Sequence, residues 1–265
     1  MASIALLGIP YDGDSSYRRG AAGGPAAIRA EITRVRQYSS MTTEGGLDLD
    51  RPGLLIESGD VPVTDPEGTR QAIGTAIGRE LHAGHRVVAL GGDHSITYPI
   101  LHAVHHTLGR VDVLHFDAHP DLYPVFEGNR YSHACPFARS FEDGLIGRLV
   151  QVGIRSQNPT LRAMAERYNV EQFTMREWAG PPRLSFERPV YISLDLDGLD
   201  PAFAPGVSHP EPGGLSVRDV IATLQKMEGR VVAGDLVEYN PDADATGGTG
   251  VVAVKLLKEM LHTMA

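Results

Sequence analysis

Residues 111–121 read Val-Asp-Val-Leu-His-Phe-Asp-Ala-His-Pro-Asp, a largely apolar run that ends in three metal-seeking side chains, Asp117, His119 and Asp121. A short apolar run of this kind is what a parallel strand covered on both faces looks like. The same pattern recurs twice. Val-Val-Ala-Leu (87–90) precedes Gly91-Gly92-Asp93-His94, and Val-Tyr-Ile-Ser-Leu (190–194) precedes Asp195, Leu196 and Asp197. Strand-like runs fall near residues 3–9, 54–58, 86–91, 111–117, 148–154, 170–174, 190–197 and 231–238. Helical patterns fall near 24–36, 67–83, 97–108, 159–168, 216–228 and 248–263. Strand and helix in alternation, with short connections, predict one parallel sheet between helix layers, an α/β fold in a single domain spanning 1–265. No repeat, low-complexity segment or linker interrupts it.

Functional groups on such sheets gather beyond the carboxyl ends of the strands, which is where the three polar clusters lie. Strand periodicity puts Asp117, His119 and Asp121 on one side at first, with Pro120 ending the strand and curling Asp121 back; it also gives Asp195 and Asp197 a common face. Gly91 and Gly92 are expected to permit a tight turn that aims His94 over the sheet edge. Four carboxylates crowded at one edge repel one another strongly in a low dielectric. A pair of divalent cations would cancel that charge, with His94 and His119 as neutral ligands. Mostly oxygen donors with some imidazole suit Mn²⁺, whereas zinc more often takes fewer carboxylates.

A lone aspartate at a strand end is ordinarily a turn former or a helix cap. Asp93 and Asp200 are read that way, and His115 as a core or supporting histidine. Three clusters at three strand ends exceed that explanation. Two metals about 3.5–4 Å apart can share a water and lower its pKa toward neutrality, giving a hydroxide nucleophile. His133, in Tyr-Ser-His-Ala-Cys, is the candidate proton shuttle. Glu238 ends a strand, where its carboxylate can hold a cationic substrate group.

The bulk composition is consistent with this picture. The 33 acidic and 24 basic residues give a formal net charge of −9 without a basic block, a poor match to nucleic acid or an anionic membrane and a better one to a small cationic substrate. Cys135 is the only cysteine, which excludes an intrachain disulfide framework and a cysteine-based zinc site; it is read as a packed loop residue. The N-terminal Met-Ala-Ser-Ile-Ala-Leu-Leu-Gly-Ile-Pro reads as a first strand and not a signal peptide. No apolar stretch reaches the roughly 20 residues of a membrane span. A cytosolic location is the resulting expectation.

Taken together, Gly-Ile-Pro-Tyr-Asp near the start, Gly-Gly-Asp-His-Ser, Asp-Ala-His-Pro-Asp, Ser-Leu-Asp-Leu-Asp and Val-Glu-Tyr-Asn-Pro resemble the ureohydrolase family of arginases and agmatinases over essentially the whole chain. The resemblance implies a three-layer α/β/α sandwich with a mainly parallel eight-stranded sheet, and two Mn²⁺ per chain. It also implies hydrolysis of a guanidino group by a metal-bridging hydroxide, and a homo-oligomer, trimer or hexamer. Carried over by motif, His94, Asp117, Asp121 and Asp195 would bind one metal. His119, Asp117, Asp195 and Asp197 would bind the other. His133 matches the family's proton-shuttling histidine and Glu238 its guanidinium-binding glutamate; with Asp121 these form the expected catalytic set.

Residues 126–134, 151–156 and 204–215 look most like plant-type arginases, and the animal-type loop that reads the amino-acid end of arginine is absent. Asn129, Ser132 and Asn158 are the nearest polar candidates for that task. Asn158 stands where animal arginases carry an aspartate. Val207 and His209 stand where many agmatinases read Thr-Gly-Thr. L-Arginine is the favoured substrate; agmatine, guanidinobutyrate and formiminoglutamate remain open, the last needing a basic group such as Arg130. A non-catalytic scaffold or a one-zinc, deacetylase-like site is the reading from a different class.

Overall fold

The computed structural model describes residues 2–265. Its eight strands are β1 (Ile4–Gly8), β2 (Leu55–Asp60), β3 (Arg86–Leu90), β4 (Val111–Phe116), β5 (Ile146–Ile154), β6 (Glu171–Thr174), β7 (Val190–Asp195) and β8 (Val231–Val237). All pair in parallel, in the order β2-β1-β3-β8-β7-β4-β5-β6. The helices are α1 (Gly24–Tyr38), α2 (Pro66–His82), α3 (Thr97–Leu108), α4 (Pro136–Glu142), α5 (Pro159–Arg167), α6 (Val217–Lys226) and α7 (Gly248–Thr263).

Alternation along each strand divides the core into two layers. Ile4, Leu6, Val88, Leu90, Leu114, Phe116, Ile192 and Leu194 face one way and pack with Ile28 and Ile32 of α1, Ile221 of α6 and Leu257 of α7. Ala5, Leu7, Val87, Ala89, Val113 and Tyr191 face the other way, toward Ile73 and Ile77 of α2, Ile100 and Val104 of α3, Phe137 of α4 and Leu161 of α5. The result is a three-layer α/β/α sandwich. Burying one such aliphatic side chain contributes about 1.5–3 kcal/mol, so the central strands, buried on both faces, are its most strongly held part.

Local chemistry sets the helix ends. Asn158 caps α5 by accepting from the Leu161 N–H (3.0 Å). Ser216 and Asp219 form a reciprocal capping box at α6, satisfying backbone donors that would otherwise lack partners. The strands and six of the helices fall where the sequence places them; α4 is additional. It has seven residues and opens on Pro136, too short for apolar periodicity to show.

Two local expectations are corrected. β4 stops at Phe116, so Asp117, His119 and Asp121 are not aligned by strand alternation. The chain turns instead, with Asp121 in the left-handed region at φ 51°. Likewise Asp195 is the last residue of β7, and Asp197 sits in a one-turn 3-10 segment (Leu196–Gly198) capped by the Asp195 side chain. Gly91 and Gly92 serve close approach: a Cβ on Gly92 would lie 1.8 Å from the Tyr11 carbonyl oxygen, so no other residue fits there.

Candidate metal centre and catalytic cavity

The four central strands, β3, β8, β7 and β4, are consecutive in the sheet, and each delivers its polar cluster at its carboxyl end. His94 follows β3, Glu238 follows β8, Asp195 and Asp197 close β7, and Asp117 to Asp121 follow β4. The fold thus brings together residues far apart in the chain.

His94 is fully buried, and its Nδ1 lies 3.0 Å from Asp121 Oδ2, 3.0 Å from Asp195 Oδ2 and 3.2 Å from Asp117 Oδ2. The tautomer of this ring follows from its other nitrogen. Asp235 accepts from Ser193 Oγ (2.7 Å), and Ser193 Oγ in turn accepts from His94 Nε2 (2.9 Å). A proton therefore sits on Nε2, so that in the neutral ring Nδ1, which has no hydrogen-bond partner, carries the lone pair. A lone pair facing three carboxylate oxygens is unfavourable unless a cation lies among them. This donor set fits a metal ion.

A second group lies alongside. His119 Nδ1 is 3.3 Å from Asp117 Oδ1 and 3.2 Å from Asp197 Oδ2, and these three residues can converge on one ion. Asp117 offers one carboxylate oxygen to each group, the geometry of a bridge. Asp195 presents Oδ2 to the His94 group while its Oδ1 accepts from the Asp197 N–H (2.8 Å).

The electrostatics say the same. Burial pushes the Asp195 carboxyl well above the usual range, reinforced by the charges of Asp197 and Asp117. Burial and Asp117 push Asp197 up to about 7. Burial opposes charging of the His94 and His119 rings, yet the carboxylates around them raise both well above the ordinary imidazole value. By itself the cluster would hold protons where divalent cations would displace them.

Asp117 is braced from behind. His115, buried, donates from Nε2 to Asp117 Oδ2 (2.8 Å). Gln151 donates its amide to both His115 Nδ1 (3.0 Å) and the Pro120 carbonyl (2.7 Å). Gln172 donates to Gln151 Oε1, and Gln157 donates to Gln172 Oε1. Because a carbonyl can only accept, Pro120 fixes the direction of the whole chain of amides. Arg155 donates to the carbonyls of Asp197, Gly198 and Leu199 and so clamps the Asp197 turn. These supporting roles of His115, Gln151, Ser193 and Asp235 match the way histidine and carboxylate ligands are held in metal sites generally.

A cavity of about 370 Å³ opens above this floor. Glu238 lines it from the left-handed backbone region (φ 63°). Its Oε1 accepts from the His94 N–H (2.9 Å), while its buried Oε2 has no hydrogen-bond partner. His133 lies with Nδ1 3.4 Å from Glu238 Oε1 and Nε2 2.8 Å from Ser16 Oγ. Burial disfavours the charged ring, but the Glu238 carboxylate outweighs it and raises His133 to about 9.

The residues expected to read the far end of the substrate are only partly assembled here. Asn158 lines the cavity, although its amide already caps α5 and donates to Tyr123 Oη (2.5 Å). Asn129 and Ser132 are not among the residues lining it and are engaged in other bonds. Asn129 donates to Asp14 Oδ1 (2.7 Å) and accepts from the Tyr131 N–H; Ser132 Oγ is buried and accepts from the Ala134 N–H. Arg130 pairs with Glu142 instead. Cys135 packs at the start of α4, buried, its thiol pushed up to about 12 by burial and by Asp121. Asp93 and Asp200 are turn residues: Asp93 accepts from the Asp14 and Ser95 N–H groups, and Asp200 from those of Ala202, Gly213 and Gly214.

Several contributors are given no catalytic or binding role by the sequence motifs. His209 stacks 4.8 Å from His133, centroid to centroid, and lines the cavity with Ser16, Ser156 and Gln157. Asp14 ties the loop near Tyr11 to the Asn129 and His133 segments.

The arginase family model matches residues 2–262. "Arginase 1, mitochondrial" of Oryza sativa subsp. indica is 45% identical over 98% of this chain and 81% of its own length. "Agmatinase, mitochondrial" of Gallus gallus is 38% identical over 97% and 79%. The solved arginase from Medicago truncatula superposes with a TM-score of 0.95 at 43% identity, covering 99% of this chain and 87% of that one. The mitochondrial names of the rice and chicken proteins correct the expected cytosolic location. A strand-like start and an ordinary composition describe how a chain folds and carry no address. With the fold, the acidic floor and these relatives in agreement, the chain belongs to the arginase family of amidinohydrolases.

Proposed function

We propose that the cavity holds two Mn²⁺ per chain and hydrolyses a small cationic guanidino substrate, L-arginine, to L-ornithine and urea. The observation that carries this reading is Asp117, whose two oxygens face two histidine-marked groups, while Glu238, with its unpartnered Oε2, lines the same cavity as His119, Asp121, Asp195 and Asp197. The metal ligands would be His94, Asp117, Asp121 and Asp195 on one side, and His119, Asp117, Asp195 and Asp197 on the other. The oxygen-rich set favours Mn²⁺ over softer ions. Bound there, the ion pair would supply Lewis acidity and a water acidified toward neutrality.

The chain's own residues do the rest. Glu238 Oε2 accepts from the guanidinium and orients its carbon over the floor. Asp121 lines the cavity and accepts a hydrogen bond from the attacking water. The attacking oxygen, one of its protons already lost to solvent, adds to the guanidinium carbon. As the bond from that carbon to the alkyl-bearing nitrogen then breaks, the oxygen's remaining proton passes to Asp121 and the carbonyl of urea forms. The electron pair goes to that nitrogen, and His133 supplies the proton that completes the amine.

Agmatine is the second reading, because no Lys or Arg lines the cavity to pair with the α-carboxylate of arginine. Asn158, at the rim, would bear on that choice. The rice relative's name supports arginine, the chicken relative's supports agmatine. A homo-oligomer, trimer or hexamer, rests on the family alone. The test is urea release by the Mn²⁺-loaded protein with L-arginine and agmatine in parallel. Faster turnover of arginine is expected. Faster turnover of agmatine would reassign the substrate, and urea from neither would overturn the reading.

A further inference from the structure

Helix α3 carries three histidines within five residues, His102, His105 and His106, none of which lines the catalytic cavity. His102 and His106 are four residues apart and so share one face of the helix. Both are exposed. Their Nε2 atoms point at one another across 3.3 Å, with the rings 4.4 Å apart and steeply inclined at 61°.

Two neutral imidazoles in this arrangement share at most one bridging proton, and each otherwise presents a lone pair to the other. A single cation between them satisfies both. Metal–imidazole bonds of about 2.0–2.1 Å with a near-tetrahedral angle place the two nitrogens about 3.3 Å apart, which is the spacing found. Partial burial and the neighbouring His106 push the His102 pKa down, which favours the neutral, ligating form of that ring.

We propose that His102 and His106 form a surface chelate for one borderline divalent transition-metal ion, of the Cu²⁺, Ni²⁺ or Zn²⁺ class. Its two nitrogen donors disfavour Mn²⁺, the opposite preference to the oxygen-rich floor of the cavity. The helix backbone presets the bite, and the remaining coordination positions stay open to water or to a further donor. The two sites are independent in ligands and in metal preference.

The test uses the full chain, first loaded with Mn²⁺, and Cu²⁺ as the probe, followed by titration calorimetry and by electron paramagnetic resonance for nitrogen coordination. The wild-type chain is expected to bind one equivalent of Cu²⁺ that the His102→Ala/His106→Ala variant does not bind. Alanine at these exposed helical positions favours the helix, so the variant folds, keeps its Mn²⁺ and keeps its urea release. A His105→Ala control retains the equivalent. Equal Cu²⁺ binding by the wild type and the double variant would overturn the proposal, as would a wild-type spectrum without two equivalent nitrogen ligands.

Discussion

At the floor of the cavity three of the candidate ligand residues, His94, Asp117 and Asp197, are held from behind. Ser193 and Asp235 fix His94, His115 and Gln151 fix Asp117, and the clamped turn fixes Asp197. At the rim, Ser16, Ser156, Gln157 and Asn158 come from loops or a helix start. Their hydrogen bonds there serve the loops as much as any ligand. The floor is anchored on four adjacent strands buried on both faces; the rim is not. This difference puts the acidic cluster on the sheet and much of the outer lining on loops, with Ser16 reaching His133 and Gln157 reaching Gln172 and, through it, Gln151 as the links between the two.

The comparison can be broken first at its strongest point. Asp117→Ala removes an oxygen from both groups, so activity is expected to fall on the order of 10³-fold or more, and metal analysis should show pairing lost. Two ions retained at full occupancy would mean that Asp117 is no bridge. His133→Ala deletes the proposed proton donor but none of the proposed metal ligands. Turnover should drop roughly 10²–10⁴-fold with metal content unchanged, and an unaltered kcat would remove His133 from its role.

Ser193→Ala probes the bracing itself. It breaks the contact that sets the His94 tautomer, and binding at the His94 position should weaken roughly 10–100-fold while the His119 position holds. Metal titration reads the two affinities, and equal weakening at both would show that the floor is one unit, not two. Asn158→Asp is expected to have the smallest effect. Aspartate caps a helix about as well as asparagine, so thermal stability should barely move. The added charge should lower KM severalfold for substrates bearing an ammonium at that end, with kcat preserved. A collapse of kcat would erase the distinction between floor and rim.

The same division governs what could be read from the sequence. The apolar runs 87–90, 111–116 and 190–194 are legible because burial on both faces demands such residues throughout, and the polar residues that follow them inherit a known place at the sheet edge. How those residues meet is less legible. Strand alternation suggests a shared face for Asp117, His119 and Asp121, yet a left-handed Asp121 makes the convergence. The rim leaves almost no trace. Asn129 is consumed by Asp14, 115 residues away in the chain, and Gln157, in the loop after β5, bonds Gln172 of the neighbouring strand β6. Such side-chain bonds impose no period and no composition.

The central claim is a floor whose activity requires both ions, and its most direct test is urea release from L-arginine measured as Mn²⁺ is added stepwise to metal-free protein. Activity that stays low through the first equivalent and reaches its maximum at two per chain is the predicted result. Full turnover with one ion bound per chain would contradict the account.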